Sequence, residues 1–387
     1  MEMNSPLIGM QIEIVKYQPE LKDEIANLQT HLWGPDRALN KAYFEWKYEC
    51  NPYIRNPLIY LALKGGRAVG MRGILGTQWQ IGPGDTTFIG LYPDDLVIAP
   101  DYRNAGLIPR IMKAAFDDLA TRGYEYAFNL SSGPITFLAS LAMGWRSIGS
   151  MEPVTLNSKP RIRIPDMRKI VSGLPLIRRF ADRMPSLHFI KKPTFFWLDK
   201  AQTRQGQSEN SRLFISTTPD PPAMAELVER LSYDGRLRHI RDKEYFSWRF
   251  KNPSRDYRFI FWKEDFLKGY IVLQGYFPDN QRRGKVNIVD WEATSTPVLK
   301  ELLGTAIRQG KFEELFSWTA TLSAEKKAIL AEAGFKPMQP TEGSRYSNCV
   351  IMRPVRNELS PEKWMISDRH LLDLSNWDLR MLYSMHG

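Results

Sequence analysis

A chain of 387 residues has room for two domains, or three, at about 100–200 residues each. Its 43% hydrophobic and 12% aromatic content argues against disorder, because disordered chains lack the apolar mass to offset ordering entropy. Two cysteines, Cys50 and Cys349, sit in opposite halves and form no CxxC pair, which argues against a structural zinc site or a disulfide framework and for a reduced, cytoplasmic protein. The start of the chain has neither a basic n-region nor an apolar h-region, so no signal peptide is expected. No window approaches about 18 uninterrupted apolar residues, so no membrane-spanning helix is expected either.

Along the chain the first organising feature is an internal echo. Tyr43-Phe44-Glu45-Trp46-Lys47-Tyr48 is followed closely by Asn51-Pro52, and Tyr245-Phe246-Ser247-Trp248-Arg249-Phe250 by Asn252-Pro253. The aromatics fall at helical spacing, and Asn-Pro stops each helix because proline disfavours a helical residue before it. Two copies half a chain apart point to duplicated domains rather than a solenoid of short repeats.

Each copy is followed by a strand, a tight turn and a second strand. The first hairpin turns at Lys64-Gly65-Gly66-Arg67, the second near Lys263-Glu264-Asp265. A further strand comes next, then a helix. In the first half the helix runs from about Gly106 to Arg122, with Ile108, Ile111, Met112, Ala115 and Leu119 on one face and Gly123 as its stop. In the second it covers about Val298–Arg308. A strand (Tyr126–Leu130; Leu315–Trp318) and a last helix closing on Gly144-Trp145 or Gly334-Phe335 complete each half. The fold class is therefore α/β, with two tandem domains, each a mixed, mostly antiparallel sheet flanked by helices. The divisions are 1–155, a basic connector at 156–200, 201–355, and an appended tail at 356–387.

The sharpest chemical signal is Val97-Ile98-Ala99-Pro100-Asp101-Tyr102-Arg103-Asn104-Ala105-Gly106. An apolar strand enters a proline turn, and Arg-x-x-Gly opens a helix. Unpaired N–H groups and the positive dipole end make such a tip a phosphate site, with Gly106 allowing close approach and Arg103 adding charge.

On these residues, and on Pro134–Trp145 (PITFLASLAMGW), the chain resembles the GNAT N-acetyltransferase superfamily, over roughly 57–150 well and 241–337 more weakly. The resemblance implies acetyl-CoA as acyl donor and no metal. It places Val97, Ile98 and Ala99 against the pantetheine arm, and Arg103, Asn104, Ala105, Gly106, Leu107 and Ile108 around the pyrophosphate. Ile108 stands where the family prefers Gly or Ala, and Pro109 removes one N–H from the first helical turn. A carboxylate on the pantetheine-binding strand often serves as base for the acceptor amine, and Asp95 matches that position with Asp94 beside it. Strand alternation allows only one of the two to face the cleft. Where the family often has a tyrosine acid, this chain has Ser140. In the second half Asp290 lies on the equivalent strand, but Thr294-Ser295-Thr296-Pro297 replaces Arg-x-x-Gly, so no strong pyrophosphate site is expected there.

The five histidines show no ligand-like spacing, and no Gly-x-Ser-x-Gly elbow is present. Ten basic and two acidic residues fall between Lys159 and Lys192, in a chain of net charge +10. That stretch reads as a solvated linker, as a contact for an anionic membrane surface at the inner face, or as a contact for an acidic carrier or acceptor. No nucleic-acid reader motif accompanies it. The functional expectation is an acyltransferase acting on an amine of a small-molecule or sugar-linked acceptor, of the kind used in bacterial surface-polysaccharide synthesis. The competing expectations are a Fem-like aminoacyltransferase and a non-catalytic scaffold.

Overall fold

The computed structural model describes residues 11–81, 86–157, 212–276, 284–310, 312–339, 348–356 and 364–384. The basic stretch Lys159–Lys192 lies outside them.

The first half opens with β1 (Glu13–Lys16) and three short helices, α1 (Lys22–Leu28), α2 (Thr30–Trp33) and α3 (Arg37–Phe44). The Asp36 carboxylate caps α3 by accepting from the Leu39 N–H, and a π-helical turn, Glu45–Glu49, extends it to the Asn-Pro stop. The hairpin of β2 (Leu58–Lys64) and β3 (Arg67–Ile81) turns on Gly65 and Gly66 at φ of 57° and 78°, the two positive values that a tight two-residue turn demands. Then come β4 (Thr86–Ile98), α4 (Leu107–Thr121), β5 (Tyr126–Ser132), α5 (Pro134–Ala142), β6 (Arg146–Ser150) and β7 (Pro153–Asn157).

The second half repeats the order with β8 (Leu213–Ser216), α6 (Pro221–Arg230), β9 (Leu237–His239), α7 (Lys243–Arg249), β10 (Arg255–Lys263), β11 (Leu267–Tyr276), β12 (Lys285–Ala293), α8 (Thr296–Gln309), β13 (Glu314–Trp318), α9 (Ala324–Glu332), β14 (Lys336–Pro337) and β15 (Cys349–Pro354). The tail carries a small hairpin, β16 (Met365–Ile366) with β17 (Arg369–His370), and then β18 (Trp377–Asp378).

The strands assemble into two sheets of the same plan, β1-β2-β3-β4-β5-β15-β6 and β8-β10-β11-β12-β13-β7-β14. Along these two runs the neighbours are antiparallel except the β4/β5 and β12/β13 pairs, which are parallel, and the first sheet also takes in β9, antiparallel to β3, and β18, parallel to β9. The mixed, mostly antiparallel architecture expected from the sequence is thus present twice.

The halves also trade strands. β7 leaves the first half to pair with β13 and β14, and β15 returns from the second half to lie between β5 and β6. A division at residue 155 therefore falls inside a strand of the second sheet. Neither sheet is complete without the other half.

Helices bury one stripe each. Leu107, Ile111, Met112, Ala115, Phe116 and Leu119 of α4 face the first sheet, and Leu299, Leu302, Leu303 and Ala306 of α8 face the second. The largest core cluster lies between the halves and contains Trp46, Trp79, Trp248, Trp377 and Tyr383. The tail is therefore no loose appendage: Trp377 packs edge-on to Trp79 and Phe128, and Tyr383 to Trp79.

Candidate active site

The parallel pair at the centre of the first sheet comes apart. β4 and β5 are in register only at Gly90–Tyr126 and Leu91–Ala127; beyond these residues the two strands separate, leaving one edge of β4 open. The hydrogen-bond phase of β4 tells which amides face that gap. The Ala99 N–H donates to the Val69 carbonyl at 2.9 Å, so this pair is a hydrogen-bonded one. Alternation along an antiparallel pair then turns Val97 toward β3 and leaves the main-chain groups of Leu96 and Ile98 facing the gap.

The gap leads to the tip of α4. Gly106 is the cap residue, at φ 66°, a conformation that glycine adopts freely, and it supplies no side-chain acceptor. The first-turn N–H groups of Leu107 and Ile108 have no partner within the helix. Arg103 and Asn104 are exposed beside them. A cavity of about 690 Å³ joins these parts; its walls include Val97, Ile98, Arg103, Gly106 and Ile108, with Leu96 further in. Of the nine residues expected to hold the donor, seven line this cavity, while Ala99 and Ala105 do not. His31 and Leu32 of α2 line it as well.

Deeper along β4, the strand bulges. Arg72 pairs with Leu96 and Gly73 with Asp94, so Asp95 is the extra residue, at φ 48°. A bulge suspends strand alternation, and both carboxylates turn to the same side. The Lys47 ammonium, fully enclosed, lies 2.7 Å from Asp94 Oδ2 and 3.1 Å from Asp95 Oδ1. The Tyr48 hydroxyl donates to Asp95 Oδ2 at 2.7 Å. Gly73 makes this possible, since a Cβ there would stand 2.1 Å from the Tyr48 hydroxyl.

Asp95 is thus sealed inside a cluster built by the first aromatic repeat. Burial pushes its carboxyl up from the usual range, outweighing the pull of Lys47, and Asp94 adds to the rise. Burial alone would lower the Lys47 ammonium, but the two carboxylates more than offset it and hold Lys47 charged. Asp94 keeps a quarter of its side chain exposed.

Neither Tyr92 nor Tyr126, the tyrosines where β4 and β5 part, stands ready as an acid. Tyr92 sits where the strands part and is buried; that burial pushes its phenol well above the usual range. Tyr126 is at the last paired position and is raised as well, by burial and then by Glu125. Ser140 is buried at the end of α5, its carbonyl accepting from Met143 and Trp145, and it does not line the cavity.

The second sheet has the same gap, filled differently. β12 and β13 are in register only over Lys285–Asn287 and Glu314–Phe316. The tail enters here. The Leu379 N–H and carbonyl both bond the Thr321 hydroxyl beyond β13, at 2.9 and 2.8 Å. Arg380 pairs with Glu292 of β12 at 3.0 Å and with Asp378 at 2.7 Å. The Arg241 guanidinium holds Asp290 in a double contact at 2.9 and 3.1 Å and reaches Glu292 at 2.8 Å, and Lys326 binds Glu292 at 2.6 Å. Burial would raise the Glu292 carboxyl, but Arg380, Lys326 and Arg241 hold it well below the usual range. Asp290, expected as the counterpart of Asp95, is here an ion-pair partner in a closed network.

Residues 23–133 match the profile of the Acetyltransferase (GNAT) family. Residues 23–133 are a GNAT acetyltransferase domain. The family acts with acyl-CoA donors, and the N-acetyltransferase class expected from the sequence is the class of this family. The GNAT fold extends over nearly the whole chain. A protein of Enterococcus faecalis described as a probable N-acyltransferase superposes at a TM-score of 0.56 and 12% identity, covering 89% of this chain and 73% of its own. A GCN5-related N-acetyltransferase of Anabaena variabilis gives 0.53 and 13% over 89% and 73%, and one of Kribbella flavida 0.51 and 11% over 90% and 72%. At such identities the likeness is one of fold. No curated protein matches this sequence.

Nothing in the sequence marks His31 or Lys47 as part of a site. His31 has no motif around it, and only the placing of α2 against β4 brings it to the cavity. Lys47 was visible as the base inside the aromatic repeat, but its partners lie 47 residues away and across a bulge.

Proposed function

We propose that this chain transfers an acetyl group from acetyl-CoA, in the first half only, to the amine of a small or sugar-linked acceptor such as those of surface-polysaccharide synthesis. The observation that carries this reading is the contrast between the two gaps. One is open, edged with free strand amides and continuous with an uncapped helix tip; the other is filled by the protein's own tail.

In this reading the Leu107 and Ile108 N–H groups and the Arg103 guanidinium hold the diphosphate. The edge amides of Leu96 and Ile98 pair with the pantetheine arm. Pro109 also borders a second groove of about 740 Å³ running along α4 past Met112, Lys113 and Phe116 to Arg356, a basic channel suited to the adenosine end of the donor.

The amine lone pair attacks the thioester carbonyl carbon. The C–S bond breaks, its electron pair stays on sulfur, and the nitrogen gives up a proton. We assign that proton to His31, which lines the same cavity as Leu96. Asp95, placed at the base position by family likeness, serves instead to fix the bulge through Tyr48 and Lys47.

The test is thiol release from acetyl-CoA with a panel of amines. His31→Gln lowers turnover by about a hundredfold or more while leaving acetyl-CoA affinity within about threefold. Unchanged turnover in His31→Gln would remove His31 from the mechanism. Absence of any acetyl-CoA binding by the parent protein would remove the donor and favour the aminoacyl-tRNA or scaffold readings.

A further inference from the structure

Among the described residues, buried cations come with partners. Lys47 has two carboxylates, Arg241 has Asp290 and Glu292, Lys326 has Glu292, and Arg380 has Asp378 and Glu292. Arg249 is held by the Tyr257 hydroxyl and by the Leu382 and Ser384 carbonyls. Arg72 is the exception. It is 9% exposed, no hydrogen bond or ion pair to a described residue holds its guanidinium, and its Nε is enclosed without a partner.

A buried, unpaired guanidinium is costly, because the desolvation of the charge is not returned by any contact. Folds keep such a group where an anion comes to meet it. The position of Arg72 says which anion. Arg72 is not itself in the cavity wall; it is the cross-strand partner of Leu96, which is, and it lies on the same face of the sheet as that residue. At about 3.3 Å per residue it stands about 10 Å back along β4 from Ala99, well inside the helix tip that takes the diphosphate. The bulge begins at the next residue of β4. The carboxylates whose charge acts on Arg72 are Asp94 and Asp95, and both are bound by Lys47.

We propose that Arg72 meets the negative charge that appears on the thioester during transfer, on the carbonyl oxygen and then on the departing sulfur. This rests on the acyl-CoA reading above. It also answers a gap in that reading, since the position where the family often has a tyrosine acid is Ser140, whose hydroxyl is a far weaker acid than a phenol. Arg72 stays protonated throughout. The sulfur leaves as a thiolate carrying the bond's electron pair, paired with the guanidinium, and takes up a proton from solvent on release.

The test needs no acceptor. Free CoA is bound to the full-length protein, its affinity is measured by calorimetry, and its thiol is titrated through the ultraviolet absorbance of the thiolate. With the parent protein the bound thiol ionises at lower pH than free CoA. With Arg72→Met it moves back up by about one pH unit or more, and with Arg72→Lys it moves back only in part. Thermal unfolding supplies the second readout. Arg72→Met unfolds at the same or a higher temperature than the parent, because it removes an uncompensated charge, whereas a structural arginine would unfold lower.

CoA bound equally by parent and Arg72→Met, with one and the same thiol titration, would overturn the role of Arg72 and leave the CoA site standing. No binding of CoA by the parent would overturn both. Loss of the folded state in Arg72→Met and in Arg72→Lys alike would show Arg72 to be structural and end the proposal.

Discussion

Trp46 and Trp248 exchange hydrogen bonds across the boundary between the two halves. Each indole N–H donates to the other's main-chain carbonyl, at 2.8 and 2.7 Å, and the rings stack at 5.4 Å with 14° between planes. The two tryptophans occupy the same place in the two sequence repeats, so the duplication visible in the chain becomes a two-fold-like handshake in the fold. Trp46→Ala or Trp248→Ala is expected to cost about 3–5 kcal/mol in denaturant unfolding, from lost packing and a stranded carbonyl. The double variant is expected to cost less than the sum by about 0.5–3 kcal/mol. Strict additivity would show that the pair does not act as a unit.

The bulge on β4 depends on Lys47. Lys47→Met leaves the Asp94 and Asp95 carboxylates facing one another without a cation, and an expected loss of about 3–5 kcal/mol follows from breaking a buried ion pair on one side. Equilibrium unfolding in urea at neutral pH measures it. Retained stability would mean that one of the carboxyls carries a proton in the native protein.

Two glycines should fail for different reasons. Gly73→Ala forces a methyl against the Tyr48 hydroxyl and breaks its bond to Asp95, at about 1–3 kcal/mol. A Cβ at Gly106 meets nothing within 4 Å, so Gly106→Ala carries only the cost of positive φ, about 1–2 kcal/mol. Crystallography or chemical-shift changes at Tyr48 separate the cases: the ring moves in Gly73→Ala and stays in Gly106→Ala.

His239 makes stability depend on pH. The ring is buried, stacked at 4.7 Å on Tyr383, with Nδ1 2.8 Å from the Ile240 carbonyl and Nε2 unpartnered. Burial pushes its pKa down to about 3, from about 6.5 in an unfolded chain. A folded value below the unfolded one means that the unfolded chain binds the extra proton between them. Stability from this residue is therefore full above about pH 6.5 and falls as the pH drops, by up to about 1.4 kcal/mol per unit. Between about pH 6.5 and 5, above the carboxylate range, the parent is expected to lose about 2 kcal/mol and His239→Phe to lose little of it. Equal slopes would show that the ring is protonated in the fold.

Much of the fold was legible because its signals are local. Period-3.6 stripes gave α4 and α8, Lys64-Gly65-Gly66-Arg67 gave the first hairpin, and Gly144 and Gly334, both left-handed, closed the last helices where expected. The strand exchange was not legible. β7 and β15 look like ordinary terminal strands of their own halves, and only tertiary pairing decides whose sheet they join. The tail looks like an appendage in sequence because its short strands carry no period, yet its aromatics fill the core between the sheets. At the site, the helix tip was visible as a turn motif. The facing of Asp94 and Asp95 was not, because alternation predicts one carboxylate per side and the bulge puts both on Lys47. Arg72 looked like any strand arginine until burial without a partner set it apart.

The central claim is that one gap takes the donor and the other is filled by the chain itself. Calorimetric titration of the full-length protein with CoA tests it most directly. A stoichiometry of one per chain, with affinity falling about tenfold or more in Arg103→Ala, is the predicted result. Two sites per chain, or one site indifferent to Arg103, would contradict it.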